Sequence, residues 1–129
     1  MGSAHDTAPE LTGADFILNN IDDAVIVTDT RGVVTYWNEG ATRLFGYSSV
    51  EMVGQPYPMR FPTELRPRIE QAIADRLRGI NWDGDFEDYR KDGSRIWISA
   101  RVRKLVDRNG QTVGILGISK DISALKRAE

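Results

Sequence analysis

Carboxylates are the reactive groups this chain carries in quantity, and three of them, Asp83, Asp85 and Glu87, recur at every second position. A fourth, Asp88, has the opposite parity and shares it with Trp82, Gly84 and Phe86. Oxygen ligands in such a cluster suit calcium or magnesium. On a strand, however, the side chains at 83, 85 and 87 stand in a row about 7 Å apart and do not converge on one ion. Arg95, Arg101 and Arg103 alternate in the same way a short distance on, so cross-strand ion pairs are the expected role. Asp88 is different. On the face of Trp82 and Phe86 its carboxylate points at the core, where it must be paired or hydrogen-bonded. It either caps a backbone donor or meets Arg90, or it recognises a polar or cationic ligand, and Thr28 and Ser119 on inward faces can share either task.

Other chemistries lack their residues. The chain has no cysteine, and its single histidine, His5, sits in a polar leader. That removes disulfides, thiolate nucleophiles and metal sites, cysteinyl photoadducts, Ser-His pairs and histidine clusters. With no phosphate-binding loop either, an enzyme is not expected in this segment. Its 129 residues, 40% apolar and 28% charged, make one globular domain. The formal charge of −2 gives no footprint for nucleic acid or for a polybasic membrane contact. No apolar run reaches the length of a membrane span and no signal pattern is visible, so a cytoplasmic location is expected.

The elements that must position these residues follow from periodicity. Residues 1–10 form a polar leader that begins with what reads as an expression scar. Leu11, Phe16, Ile17 and Ile21 recur at helical spacing with Thr12 as N-cap, giving a flanking helix within 11–23. Two β-branched runs, Ala24–Asp29 and Val33–Trp37, frame the turn Thr30-Arg31-Gly32. Asn38 caps a helix over Glu39–Phe45 that Gly46 ends, and a brief helical turn begins at Ser48 or Ser49. Prolines 56, 58, 62 and 67 make Gln55–Leu65 loop and single turns. From Pro67 a longer helix shows Ile69, Ala72, Ile73, Leu77 and Ile80 on one face. Three strands follow, Trp82–Arg90, Arg95–Leu105 and Gln111–Lys120, and an exit helix starts at Asp121. This order predicts an α+β fold, a five-stranded antiparallel sheet with short helices on one face and flanking helices at both ends.

That succession, with Leu44-Phe45-Gly46-Tyr47, Glu51-Met52-Val53-Gly54, Arg90-Lys91-Asp92-Gly93-Ser94 and the closing Asp121-Ile122-Ser123, resembles a PAS domain from about Phe16 onward. The resemblance implies a sensory or interaction module of a larger signalling protein, above all a bacterial sensor histidine kinase. Its core spans 24–120, and 121–129 begin a signalling helix, where Asp121, Ile122, Ser123, Lys126 and Glu129 fit the family's ending with Ser for Thr.

The resemblance also frames the cofactor question. Haem-binding relatives place a proximal histidine where this chain has Ile69, which has no lone pair to offer iron. Met52 and Met59 fit a core better than an iron. Light-sensing LOV domains need a cysteine and amides against the flavin edge. Here Met59-Arg60-Phe61 only echoes the cysteine motif, and the amide positions hold Asp88, Ile98 and Ser119. No haem or LOV-type flavin is therefore expected. A non-covalent flavin redox sensor stays open through Trp82-Asp83-Gly84, although Trp82 serves equally as a core aromatic. Two functions remain. One is a sensor with a small-molecule pocket among Ile26, Thr28, Phe45, Ile69, Ile73, Phe86, Asp88, Ile98, Ala100, Ile115 and Ser119. The other is a ligand-free dimerisation module in which the same residues are simply core. In both, Asp121, Ile122 and Ser123 relay the signal, two chains pair through the flanking helices, and a C-terminal effector follows.

Overall fold

The structure, a computed structural model, describes residues 13–129. Leu11, Thr12 and the leader lie outside them, as does the side chain of Phe16. Helix α1 (Gly13–Asn19) leads into strands β1 (Ala24–Thr28) and β2 (Val34–Trp37), then helices α2 (Glu39–Phe45) and α3 (Ser49–Met52). Two 3-10 turns, Tyr57–Arg60 and Thr63–Leu65, precede α4 (Arg66–Leu77). Strands β3 (Trp82–Tyr89), β4 (Arg95–Val106) and β5 (Thr112–Asp121) and the exit helix α5 (Ser123–Arg127) complete the fold. The five strands form one antiparallel sheet in the order β2-β1-β5-β4-β3. The last long strand, β5, thus sits at the centre.

The turns are written in the side chains. Asp29 and Asp107 each accept from the backbone N–H two residues on, at 2.8 Å in both cases, and a glycine stands three residues on. The edge strand β3 carries three of its acids, Asp83, Asp85 and Glu87, on the outward face. Arg103 grips Asp83 through both guanidinium nitrogens at 2.5 and 3.0 Å and holds that carboxyl below its ordinary range. Glu87 lies 3.6 Å from Arg95. Charges along a free edge also discourage pairing with another sheet.

One residue joins three elements. Buried Asn38 accepts at Oδ1 from Val25 N–H and Ala41 N–H, both at 2.8 Å. Its Nδ2 donates to the carbonyls of Leu18 at 2.9 Å and Asp23 at 3.1 Å. The N-cap of α2 is therefore also the clasp that holds α1 and β1. The approach is close enough that a Cβ on Gly40 would stand 2.1 Å from the Asp23 carbonyl oxygen.

The core is uneven. Under α2 and α3 it is solid, with Ala24, Val34, Trp37, Ala41, Leu44, Phe45 and Met52 in one cluster that extends to Ile96, Ile98 and Ala100. Helix α4 lies over β4 and β5, yet its apolar residues Ile69, Ala72 and Ile73 are only half-buried. The expected apolar face ends earlier than Ile80, which is exposed, because Gly79 at φ +91° turns the chain away. Pro67 stands second in the helix rather than first.

Asn38→Leu should lower unfolding stability by about 3 kcal/mol, the combined cost of a lost cap and unpaired buried groups. Gly40→Ala should also destabilise, although alanine favours a helix by about 1 kcal/mol over glycine. Urea unfolding of both variants checks this, and a more stable Gly40→Ala would refute the clasp.

Candidate functional site

Half-burial of α4 has a cause: between this helix and the sheet lies a cavity of about 520 Å³. Ile26, Thr28, Ile69, Ile73, Phe86, Asp88, Ile98, Ala100, Ile115 and Ser119 all line it. Alternation along β1, β3, β4 and β5 sends the strand side chains to the helical side, and the i, i+3, i+4 rows of α4 close the roof. Phe45 does not line it. The expectation for that residue is corrected: its ring lies in the solid half, with the Arg60 guanidinium carbon 4.3 Å from its centroid and the Trp37 ring at 6.1 Å. Trp82 does line the cavity, with its ring across Gly84 and 5.1 Å from Phe86.

Asp88 forms part of one wall, and its partner Arg60 does not itself line the cavity. Both side chains are buried, and they meet in a two-pronged pair, Nη1 to Oδ1 at 3.0 Å and Nη2 to Oδ2 at 2.9 Å. Arg60 also donates to the Tyr89 carbonyl at 3.2 Å and the Tyr57 hydroxyl at 2.7 Å. The rings of Phe45 and Phe61 lie 4.3 Å from its guanidinium carbon and that of Tyr57 at 4.8 Å. Burial opposes the charge on Arg60, but Tyr57 and Asp88 beside it outweigh burial and hold its pKa above the ordinary value. Burial pushes the Tyr57 phenol up, so it stays neutral. The segment reaches this place because Pro56 bridges to Val33 and Tyr57 N–H donates to the Gly32 carbonyl at 2.9 Å. That lays the 3-10 turn beside β2 and aims Arg60 inward.

The partner of Asp88 is therefore Arg60 and not Arg90. Arg90 lies just past the end of β3 and bonds the Leu44 carbonyl instead, whereas a cation from the facing layer meets the carboxylate head-on. The backbone-capping part of the reading does occur, with Asp88 Oδ1 accepting from Tyr89 N–H at 2.6 Å. Both oxygens are committed within the protein, so Asp88 has no free edge for a cationic ligand. Arg60 and the other buried arginine, Arg76, were not legible as site residues. The one available signal was that an inward Asp88 demands a cation.

The relay residues lie at the end of the same strand. Asp121 is the last residue of β5 and pairs in register with Ile98. Its Oδ1 accepts from Ser123 N–H at 2.9 Å, while Ile122 N–H donates to the Trp97 carbonyl at 3.0 Å. Lys126 of α5 sits over the Trp97 ring at 4.7 Å. The exit helix thus lies against the sheet at Trp97, while the leading helix is tied to α2 through Asn19 and Asn38. Among the described residues no group of three His, Cys, Asp or Glu is placed to hold a metal ion, and no helix is long and apolar enough to cross a membrane.

Replacing Arg60 or Asp88 alone by leucine should cost about 3–5 kcal/mol, because each leaves a buried charge unpaired. The double substitution should cost far less than the sum, since two apolar side chains can share the space. A double-mutant cycle in urea decides this, and additive costs would refute a coupled pair.

Comparison with known proteins agrees with this architecture. The sequence pattern of the PAS fold matches residues 14–122. Two-component system protein A of Emericella nidulans is 31% identical over 112 residues, covering 84% of this chain and 16% of that protein. The signal transduction histidine-protein kinase AtoS of Escherichia coli is 28% identical over 116 residues, covering 89% and 19% respectively. The chain therefore spans less than a fifth of either relative. The crystal structure of a PAS domain from Colwellia psychrerythraea superposes with a TM-score of 0.73 at 32% identity, covering 86% of this chain and 95% of that one. Five antiparallel strands cupping short helices and a match along most of the chain lead to one conclusion: the chain belongs to the PAS family.

Proposed function

We propose that this domain is the input module of a sensor histidine kinase, which holds a small molecule under α4 and reports its presence through β5. The observation that carries this is the position of the cavity. Its floor includes Ile115, Gly117 and Ser119 of β5, and two residues beyond Ser119 the strand ends at Asp121. A ligand that spreads α4 from the sheet therefore strains the strand that carries the exit helix. The three contacts at 121–126 make that junction stiff. A ligand-free relay domain would gain by filling this space, because unfilled apolar volume sacrifices packing.

The cargo in this reading is colourless. The cavity lining contains no His, Cys or Met, so it has no soft or imidazole ligand for iron. Asp88, where a flavin edge would need an amide, has both oxygens engaged by Arg60. Output passes to an effector following α5 in the parent chain, and pairing of two chains suits the exposure of Leu125 (62%) and Ile17 (63%) on the flanking helices. Ile122, by contrast, is buried in its own domain.

Purified protein should show neither a Soret nor a flavin band after desalting, and native mass spectrometry should reveal a colourless small-molecule adduct. A retained visible chromophore would overturn the assignment of the cargo. In the full-length parent, Asp121→Ala should abolish stimulus-dependent output while costing the domain only about 1 kcal/mol, as for a lost cap. Normal output from that variant would refute the relay.

A further inference from the structure

We infer that the cavity takes an organic carboxylate, an acid with an apolar body whose charged end meets Arg76; this rests on the cavity being the ligand site. Arg76 lines the cavity and is only 9% exposed. Its Nε donates to the Ala72 carbonyl at 3.2 Å, but its buried Nη1 has no partner. Among the described residues no carboxylate lies within ion-pair distance of it. A buried charge without a counter-charge is strongly disfavoured. Arg60 shows how this fold neutralises an interior guanidinium when the partner belongs to the chain: two carboxylate oxygens, a phenol and a carbonyl. Arg76 has one carbonyl. The Thr28 hydroxyl, also buried and without a partner, lines the same cavity and can donate to the same anion.

The other charges on the wall are accounted for. Asp88 is saturated by Arg60, Glu87 lies beside Arg95, and Arg68 is exposed. One interior positive charge remains, which matches a monoanion. The planar fork of a guanidinium fits a carboxylate through two parallel hydrogen bonds. The rest of the lining, including Ile69, Ile73, Phe86 and Ile98, asks for an apolar body.

The test is calorimetric titration of the chain with octanoate, octan-1-ol, octylamine and octyl phosphate, using the native sequence, Arg76→Gln and Arg76→Lys. Octanoate should bind the native protein at least tenfold more tightly than octanol, and octylamine most weakly. Arg76→Gln should erase the preference for the acid, and Arg76→Lys should keep part of it. Equal binding of acid and alcohol, or a preference unchanged in Arg76→Gln, would overturn the inference while leaving the cavity as a ligand site. Octyl phosphate binding tenfold tighter than octanoate would overturn the carboxylate and assign a phosphate. No binding by any probe, octanol included, would remove both readings. Should Arg76→Gln fail to fold by circular dichroism, the ranking in the native protein and in Arg76→Lys decides.

Discussion

An ionised carboxylate on the inner face of a sheet has to be neutralised from the layer above, and that requirement shapes half of this domain. Asp88 projects from β3 into the interior, and the only way to keep it there is to bring Arg60 down onto it with both nitrogens. The guanidinium in turn needs its remaining donors met and its faces covered, which Tyr57, the Tyr89 carbonyl, Phe45 and Phe61 do. The segment between α3 and α4 cannot then wander as a loop. It is fastened at Val33, Gly32 and Asp88, and this fixes where α4 begins.

Fixing the start of α4 also fixes the gap beneath it. The solid half of the core packs aromatic and aliphatic side chains from α2, α3, β1 and β2, and the pair of Asp88 and Arg60 stands at its border with the cavity. A pair this well satisfied contributes little net stability relative to apolar residues of the same size, but a change to one member is severe. The strands that α4 covers include β5, which also borders the cavity.

Much of this was legible in the residues. β-branched runs and alternation located all five strands, because a half-buried strand must alternate. Asn38 and Ser48 announced the starts of α2 and α3, since exposed amide donors at a helix N-terminus select such side chains. The outward acids of β3 and the arginines of β4 predicted each other, because both sets lie on one face of neighbouring strands. Inward parity also places Ile26, Thr28, Phe86, Asp88, Ile98, Ala100, Ile115 and Ser119 on the side of the sheet that faces the cavity. Phe45 escaped this logic, for a helical residue at a border faces whichever half the tertiary packing gives it.

The sequence by itself determined which residues face inward, where the turns fall, and that Asp88 would require a cation, since these depend on local geometry and on the cost of burying charge. It did not determine that the cation is Arg60, that Arg76 is buried facing the cavity without an acid, or that β5 lies between β1 and β4. Those are matters of which segments meet across the fold. Two arginines with the same local chemistry received opposite surroundings, one a carboxylate and three rings, the other a single carbonyl at the edge of an open space. Only the tertiary structure distinguishes them, because the energy of a buried charge is set by what lies within a few ångströms and not by its neighbours along the chain.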